Sequence, residues 1–588
     1  MVRATSPVMN RRSLVRKAAI NAIALLAVGS LALTGCGQKN QNTGEKQAGA
    51  TSSANLKLSD MNPQSRDKVK DGGSLRYSIS LLPPNWNPLT VDGNGVDNST
   101  IAHFTLPTNF DFDENAKPTV NKDYMESYDV KEAADNGGKL QVTLHLNPDA
   151  KWNSGRTIDY TDYVATWKAN NGTNPAFKPA TTDGFNQIEK IEKGAKATDV
   201  VVTFKSSYPD WTNVLGASPS VLPKEAVTDP KVYNEGMGSA NFHPEWHTGP
   251  FTLDKIDQAQ KTITLKRNEK WWGDKAKLDT VSFRELDESA QTKAFANKEI
   301  DVVDTIITKD GYSTAKQRSD AALREAGHLQ WRHFTFNSKA GVLADKKVRQ
   351  AVVKGINREA IARSDLAGLP VNPKDVMLGN HFFMPGQPGY KDNSTKYDPA
   401  AAKKELDAAG WKMSGDYRVK DGKQLAFNYS MLTGVPTSEN EGALLQQNMK
   451  AIGVKVNLVN TASDTYQKVL QNHSFDTISF TWQGTDWPMN NVRQIYGAAS
   501  EGSKQPSESN YAQIVDPAIE KLIPQIDTEE DQTKRQDLTN QADKIIWDNV
   551  HTLPLYRRVM FTAVPKNLAN YGAATFQSYR PEDIGFMK

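Results

Sequence analysis

The spacing that comes nearest to a metal site in this sequence is that of His243 and His247, which lie four residues apart with Glu245 between them. Zinc-dependent hydrolases carry such a pair on one face of a continuous helix. Pro244 removes a backbone donor where that helix would run, so a zinc-hydrolase helix is disfavoured here. A metal site carried on a loop is the remaining alternative. We predict that the protein holds no metal and no cofactor.

No residue pattern typical of nucleophilic or phosphate chemistry occurs in the chain. The sequence contains neither a G-x-x-x-x-G-K-S/T phosphate loop nor a G-x-S-x-G nucleophile motif. Gly93 and Gly95 are too isolated to form a dinucleotide-binding fingerprint. The adjacent acids Glu529 and Glu530 stand at a predicted helix start, where the helix dipole accounts for negative charge. We therefore predict no catalytic residue and a protein that is not an enzyme.

One acid lies in an unusual setting. Asp486 stands between Trp482 and Trp487, in a segment that follows an alternating apolar and polar strand. Two roles are open for this residue type in this pattern. The acid is either a turn or helix-cap residue beside buried tryptophans, or a carboxylate in an aromatic-lined cleft.

The elements that must position these residues alternate between short strands and amphipathic helices, which predicts a mixed α/β fold. The run Leu140–Leu146 alternates apolar and polar residues, as a half-buried strand does. Asp159 and Asp162 have the spacing of a helix capping box. Helices are also predicted over Ala443–Ile452 and over Glu529–Asp548.

Length and charge exclude several classes of protein. The chain has 588 residues, which is enough for about three or four domains at roughly 150 residues each. The formal net charge is +3, but the first 35 residues carry five basic and no acidic side chains, so the remainder holds 66 basic and 68 acidic residues. A near-neutral body without a lysine and arginine stripe argues against a nucleic-acid partner. A single cysteine excludes an internal disulfide framework.

The N-terminal segment has the pattern of an export signal. Basic residues precede the apolar run Ala22–Leu33, which is too short to cross a hydrocarbon layer of about 30 Å. The sequence Leu33-Thr34-Gly35-Cys36 that follows resembles the bacterial lipobox. This resemblance implies a signal peptide over residues 1–35 and a lipidated Cys36, whose two acyl chains would hold the protein on a membrane. Residues 36–71 are polar and predict a flexible tether.

Five separated groups of motifs occur in an order known from one family. They are Gly72–Ser80 with Asn87–Leu89; Trp152–Gly155; His247–Phe251 with Leu265–Asn268 and Trp271–Gly273; Phe336–Asn337 with Asp345–Ala351 and Ile356–Arg358; and Tyr397–Pro399 with Ala409–Trp411 and Gly453–Val456. Together they resemble the extracellular solute-binding proteins of the oligopeptide/dipeptide class, family 5, which serve ABC importers. The matches span nearly the whole chain after the tether.

The resemblance implies a mixed α/β clamshell of two lobes, like that of periplasmic binding proteins, with an extra inserted domain. That makes three structural domains, and we expect the chain to act as a monomer. The implied divisions are 72–93, 213–325 and 551–588 for lobe I, 94–212 for inserted domain II, and 326–550 for lobe II (domain III).

The resemblance also implies where a ligand is held. In this family an acid after a turn in the second lobe meets the α-amine of the peptide, and Asp486 is the candidate here. Trp482, Gly484 and Trp487 would line the cleft beside it, and Trp86 and Asn87 would contribute from lobe I. No partner for the ligand's carboxylate is assigned, although His381 and Arg493 are of the right type.

The function implied by the resemblance is transport. A lipid-anchored receptor on the extracytoplasmic face of the bacterial cell membrane would capture a peptide between its lobes and deliver it to the permease subunits of an ABC importer. The first alternative is the same role for another solute, such as a sugar or a nickel complex. The second is a lipid-anchored hydrolase, for which the sequence offers no catalytic motif.

Overall fold

The computed structural model of the protein describes residues 56–216, 218–490 and 492–588. The predicted signal peptide and the predicted lipidated Cys36 lie outside the described residues, as does most of the predicted tether. The strands are β1 Ser59–Asp60, β2 Ser74–Ile79, β3 Phe110–Phe112, β4 Pro118–Val120, β5 Met125–Lys131, β6 Gln141–Leu146, β7 Ile188–Lys193, β8 Asp199–Phe204, β9 Phe251–Asp257, β10 Thr262–Arg267, β11 Thr280–Glu285, β12 Val303–Ile306, β13 Ala321–Phe336, β14 Lys412–Ser414, β15 Tyr417–Lys420, β16 Lys423–Gln424, β17 Ala426–Leu432, β18 Lys455–Thr461, β19 Thr477–Gln483, β20 Thr552–Pro565, β21 Leu568–Ala569, β22 Ala573–Ala574 and β23 Gly585–Phe586.

The α-helices connect and cover these strands, which confirms the mixed α/β fold class. They are α1 Val96–Thr105, α2 Tyr160–Asn170, α3 Trp211–Gly216, α4 Lys224–Val227, α5 Glu288–Ala296, α6 Lys309–Ala315, α7 Lys346–Lys354, α8 Arg358–Asp365, α9 Pro399–Ala408, α10 Pro436–Ala451, α11 Ser463–Gln471, α12 Val492–Tyr496, α13 Pro517–Thr528 and α14 Gln532–Asn549.

Three larger sheets, each with its own apolar core, organise the described residues. Sheet A has the strand order β2-β11-β10-β9, sheet B has the order β12-β20-β13-β19-β17-β18, and sheet C has the order β5-β6-β8-β7. Separate clusters of buried side chains pack against the three sheets. Each sheet therefore packs against an apolar core of its own, as the layered arrangement of domains requires.

The three cores draw on chain segments close to those predicted for lobe I, inserted domain II and lobe II, and the three-domain assignment stays a prediction. Three elements pack differently from the predicted boundaries. Ile101 and Phe104 of α1 pack into the core of sheet A, although residues 94–212 were expected to form the inserted domain. Strands β12 and β20 belong to sheet B, although both lie in segments expected in lobe I.

Two long antiparallel strands, β13 and β20, run between the cores of sheets A and B. Their outer ends, around Ala322 and Val564, pack on the core of sheet A. Further along the pair, Phe334 and Leu553 lie opposite each other in the core of sheet B. The register shifts between Gly327 and Trp331, where three residues of β13 stand opposite one residue of β20. Such a bulge bends a strand and re-aims the side chains beside it.

Local sequence signals explain the start of several helices. The side chain of Asp159 accepts a hydrogen bond from Thr161 N at 2.8 Å, and that of Asp162 accepts one from Asp159 N at 3.2 Å, which confirms the predicted capping box. The predicted strand over Leu140–Leu146 is β6, whose side chains alternate between half-buried and buried. The two other predicted helices are α10 and α14.

Candidate functional site

The segment that carries Asp486 leaves sheet B at the end of β19. Strands β17, β18 and β19 are parallel, so the carboxyl end of β19 lies at the edge where ligands bind in open α/β sheets. On its other side β19 pairs antiparallel with β13, and Trp482 lies opposite Trp331. The pairing continues one step past the strand, because Gly484 N donates to Leu329 O at 2.9 Å. The bulge of β13 therefore holds the start of the Asp486 segment.

The Asp486 side chain is half-buried, and one of its carboxylate oxygens is buried without a counter-charge among the described residues. Its Oδ1 atom is inaccessible to solvent and accepts no hydrogen bond from any described residue. Burial raises the pKa of this carboxyl from its ordinary value to about 7. A buried carboxylate without a partner is unfavourable, and an ammonium group placed against it restores the lost solvation. The site is therefore prepared for a cation.

Aromatic side chains form a cluster around Trp482, four residues before Asp486. The rings of Trp482 and Tyr511 are stacked at 5.8 Å with an interplanar angle of 17°, and Phe480 meets both rings edge-on. His333 is stacked on the other side of Trp482 at 6.0 Å. The indole Nε1 of Trp482 is buried without a hydrogen-bond partner among the described residues. The cluster thus offers apolar faces and one unused donor.

His333 and Tyr511 were not identified from the sequence. His333 is fully buried, and burial lowers its pKa well below the ordinary value, so the imidazole is neutral. Both ring nitrogens lack a hydrogen-bond partner among the described residues. The sequence pattern of β13 indicates only which face of the strand His333 lies on. Tyr511 lies in a loop with no periodic signal, so only the folded chain brings it to Trp482.

Trp487 joins the segment to the part of the chain that carries sheet C. Its Nε1 donates to Thr212 Oγ1 at 3.0 Å, and its ring meets that of Phe112 edge-on at 5.3 Å. Thr485 Oγ1 donates to the carbonyl oxygen of Trp487 at 3.2 Å, which braces the turn. The segment around Asp486 therefore lies between sheet B and residues from the 110–212 region.

A buried ion pair joins the same two parts of the molecule. Arg535, on α14, donates to Asp210 through both terminal nitrogens, at 2.7 and 2.5 Å. Both side chains are almost fully buried. A two-pronged arginine–carboxylate pair fixes orientation as well as distance. It therefore sets how the 208–216 segment sits against α14.

Gly484 is close to its neighbours. A Cβ at this position would lie 3.1 Å from Leu329 O and 3.3 Å from the methyl group of Met384. A side chain here would require Leu329 O and the Met384 methyl group to yield by a few tenths of an ångström. This close approach accounts for the glycine that the sequence places between Trp482 and Asp486.

Trp86 and Asn87 lie in the core of sheet A and have structural contacts there. The indole of Trp86 donates to Ser239 O at 3.1 Å, and its ring packs against Phe242. Asn87 is fully buried, donates to Tyr233 O at 3.0 Å and accepts from a backbone N–H. Their prediction as ligand contacts stays a prediction, and these internal bonds give both side chains a role in the fold.

The two side chains considered for a ligand carboxylate have partners within the protein. His381 Nδ1 lies 2.7 Å from Asp543 Oδ1, and both side chains are buried. Arg493 Nη1 lies 2.9 Å from Glu520 Oε2. Neither is placed as an open cation for a ligand.

The histidines with metal-like spacing are engaged in packing. His247 is buried, stacks on Phe242 at 4.0 Å and contacts His243 O through Nδ1, and burial lowers its pKa to about 4. His243 has a positive φ of 54°, so the pair does not lie on one helix. Among the residues that the structure describes, no group of three or more His, Cys, Asp or Glu side chains is arranged to hold a metal ion. Within the same residues, no helix is both long and apolar enough to cross a membrane.

Comparisons with known proteins point to one family. The family model described as "Bacterial extracellular solute-binding proteins, family 5 Middle" matches residues 123–504. The oligopeptide-binding protein OppA of Mycobacterium tuberculosis is 33% identical over 573 residues, covering 96% of this chain and 94% of that protein.

Solved structures share the fold. A periplasmic EDTA-binding protein, EppA, superposes with a TM-score of 0.81 at 22% identity, covering 91% of this chain and 99% of that one. The oligopeptide-binding protein AppA of Bacillus subtilis, in complex with a nonapeptide, superposes with a TM-score of 0.70 at 21% identity, covering 89% of this chain and all of that one.

Proposed function

The chain belongs to family 5 of the bacterial extracellular solute-binding proteins, the substrate-binding components of ABC importers, and from this premise we propose that its ligand is a peptide held through its α-amine. The observation that carries the proposal is the Asp486 carboxyl, which has a buried oxygen without a partner and no cation against it among the described residues. A peptide N-terminus is an ammonium group near neutral pH and supplies the missing charge.

The surroundings of Asp486 also suit a peptide. An extended peptide needs partners for its own N–H and C=O groups, and binding clefts of this kind add pockets for side chains. The stacked faces of Trp482 and Tyr511 offer apolar surface for such side chains. The relative from Mycobacterium tuberculosis is named for oligopeptide binding, and AppA was solved with a nonapeptide, which supports the same ligand class here.

A metal chelate is the alternative that the similarity to EppA raises. A multiply charged anion such as EDTA would place carboxylates against Asp486, and like charges in a buried site repel each other. The Asp486 carboxyl therefore favours peptide over an anionic chelate. A sugar is another possible ligand, because it would stack on Trp482. The binding experiment below distinguishes a sugar ligand from a peptide ligand.

We propose the remaining parts of the transport role on the same premise. Cys36 would carry the lipid anchor, the tether would hold the binding domains at the extracytoplasmic face of the cell membrane, and a monomer would deliver its cargo to the permease. Mass spectrometry of the mature protein tests the anchor: a diacylglycerol thioether on an N-terminal Cys36 is expected. An unmodified Cys36 within an uncleaved chain would contradict it.

The peptide assignment is tested by calorimetric titration with a peptide library, a set of oligosaccharides and a set of metal chelates. We expect binding by peptides with a free amine, and recovery of the bound peptide chemically unchanged. Asp486→Asn should weaken free-amine peptides by about 30-fold or more, because separating a buried charge pair costs about 2–5 kcal/mol.

The controls for this experiment distinguish loss of the contact between Asp486 and the peptide amine from a general loss of binding or folding. Asp149→Asn removes an exposed carboxylate from the turn after β6 and should leave every affinity unchanged. N-acetylated peptides should bind the wild type and Asp486→Asn with similar affinity. Equal losses for acetylated and free-amine peptides would remove Asp486 from the anchor role, and binding of sugars or chelates alone would overturn the peptide assignment.

A further inference from the structure

A cavity of about 890 Å³ lies beside helix α2, on the part of the chain that carries sheet C. It shares no lining residue with the Asp486 segment. Its apolar lining comes from α2, the loop after it, β7 and α4, and consists of Tyr160, Val164, Trp167, Phe177, Ile188 and Val227. Small-molecule sites in proteins typically enclose about 300–1,000 Å³ and are mostly apolar. The cavity has the size and lining of such a site.

The apolar side chains that line this cavity are held in place by contacts within the protein, and part of their surface is exposed. The side chains of Val164, Trp167 and Phe177 are half-buried, so apolar surface remains uncovered by the described residues. The indole of Trp167 donates to Phe185 O at 3.1 Å, and the ring of Phe177 packs edge-on against Tyr233 at 5.3 Å. The walls are therefore held in place before any ligand arrives.

The charges around the cavity are predominantly positive. Lys168, Lys205 and Lys224 line it, together with a single acid, Glu189. Glu189 is neutralised by Lys139, whose Nζ lies 2.6 Å from its carboxylate.

The three lysines differ in how they are engaged. Lys205 Nζ donates to Asn186 O at 2.7 Å. For the ammonium groups of Lys168 and Lys224, the structure shows no hydrogen bond or ion pair with any described residue. Two ammonium groups without a direct hydrogen-bond partner, beside an apolar wall, suit an anion with an apolar body, although the Lys224 charge is also felt by the nearby Glu225.

We propose that this cavity is a second binding site, which takes an amphipathic carboxylate such as a medium-chain fatty acid. The apolar chain lies against Val164, Trp167 and Phe177, and the carboxylate faces Lys168 and Lys224. A peptide amine is disfavoured in the same place by the two ammonium groups. The proposal does not depend on what binds at Asp486.

The test is calorimetric titration of the mature protein with dodecanoate below its micelle concentration, and with dodecylamine and dodecanol as chain-matched probes. Dodecanoate is expected to bind at one site, and at least tenfold more tightly than either of the other two. Lys168→Gln with Lys224→Gln should weaken dodecanoate five- to tenfold, in line with two partly exposed ion pairs, and leave dodecanol unchanged. The control pair Lys117→Gln with Lys131→Gln, on the same part of the chain, should change nothing.

Two further measurements test whether dodecanoate binds in this cavity and not at the Asp486 segment. Val164→Asp places a like charge in the apolar wall and should abolish dodecanoate binding while a peptide bound elsewhere keeps its affinity. Equal affinity for all three head groups, or displacement of dodecanoate by the peptide ligand, would overturn the proposal. Loss of dodecanoate binding in Asp486→Asn would also overturn it, because the acid would then lie in the first site.

Discussion

At the scale of single residues, the Asp486 carboxyl couples ligand binding to the stability of the unliganded protein. The same burial that prepares it for an ammonium group penalises its charged form when the site is empty. Its type and its position between tryptophans could be read from the sequence. Its environment could not, because the residues on either side of it are held by distant parts of the chain: Gly484 N donates to Leu329 O and Trp487 Nε1 donates to Thr212 Oγ1.

This coupling predicts a change in pH dependence. The folded pKa of about 7 is raised above the ordinary value of 3.8, so the carboxyl carries no penalty below about pH 4 and destabilises the folded protein progressively as pH rises through 7. In Asp486→Asn this penalty is absent. Urea unfolding without ligand should show the variant gaining about 1–2 kcal/mol relative to wild type between pH 5 and pH 8.

The slope with pH is the diagnostic quantity in that measurement. The asparagine of the variant has its own cost of burial, but this cost does not depend on pH. It shifts the free energy of unfolding of the variant by the same amount at every pH and leaves the slope unchanged. Parallel pH profiles for the two proteins would show that the carboxyl of the unliganded protein has a normal pKa, and that it is solvated or already paired.

At the scale of elements, the start of α2 shows what local sequence can and cannot indicate. The spacing of Asp159 and Asp162 predicted a capping box, and the structure has one. The same Asp162 carboxylate also accepts from Trp152 Nε1 at 3.1 Å, from Arg156 at 2.6 and 2.9 Å, and from Lys224 N at 2.9 Å. The cap follows from neighbours in the sequence, whereas the bond to Lys224 follows from how α4 packs on α2.

These contacts predict unequal effects for two similar substitutions. Asp162→Ala leaves the buried indole of Trp152 and the backbone N–H of Lys224 without their acceptor, while Arg156 keeps Glu225. It should lower the free energy of unfolding by about 3–5 kcal/mol. Asp159→Ala removes only a cap and should cost about 1 kcal/mol. Urea unfolding of the two variants measures both, and similar losses would mean that Asp162 acts as a cap alone.

At the scale of the whole molecule, the family and the fold class were predictable because the motifs recur in a fixed order along the chain. The packing of α1 on sheet A and the membership of β12 and β20 in sheet B were not, because both are decided by contacts between distant segments. The Arg535–Asp210 pair is another such contact, since 325 residues separate its two members. It joins the 208–216 segment to α14 across the region of the proposed peptide site.

Breaking that pair is expected to loosen the molecule. Asp210→Asn removes the carboxylate that binds both terminal nitrogens of the buried Arg535, so the two parts should separate more readily. Small-angle X-ray scattering of the unliganded variant should give a larger radius of gyration than that of wild type, and peptide affinity should fall about tenfold or more.

The matched control is Glu520→Gln, which breaks the ion pair with Arg493 within one part of the molecule. This variant should keep the radius of gyration of the wild type. An unchanged radius and affinity in Asp210→Asn would show that the pair does not govern how the two parts meet.

The bulge of β13 has a consequence for how the cargo range of such a protein can change. Leu329, at the bulge, holds Gly484, and Gly484 sets where the Asp486 segment departs from sheet B. Deleting or adding one residue between Gly327 and Trp331 would move the acid while every cargo-facing side chain kept its identity. A change in the length of this backbone stretch can therefore alter the length of cargo that is accepted, without substituting the side chains predicted to line the cleft.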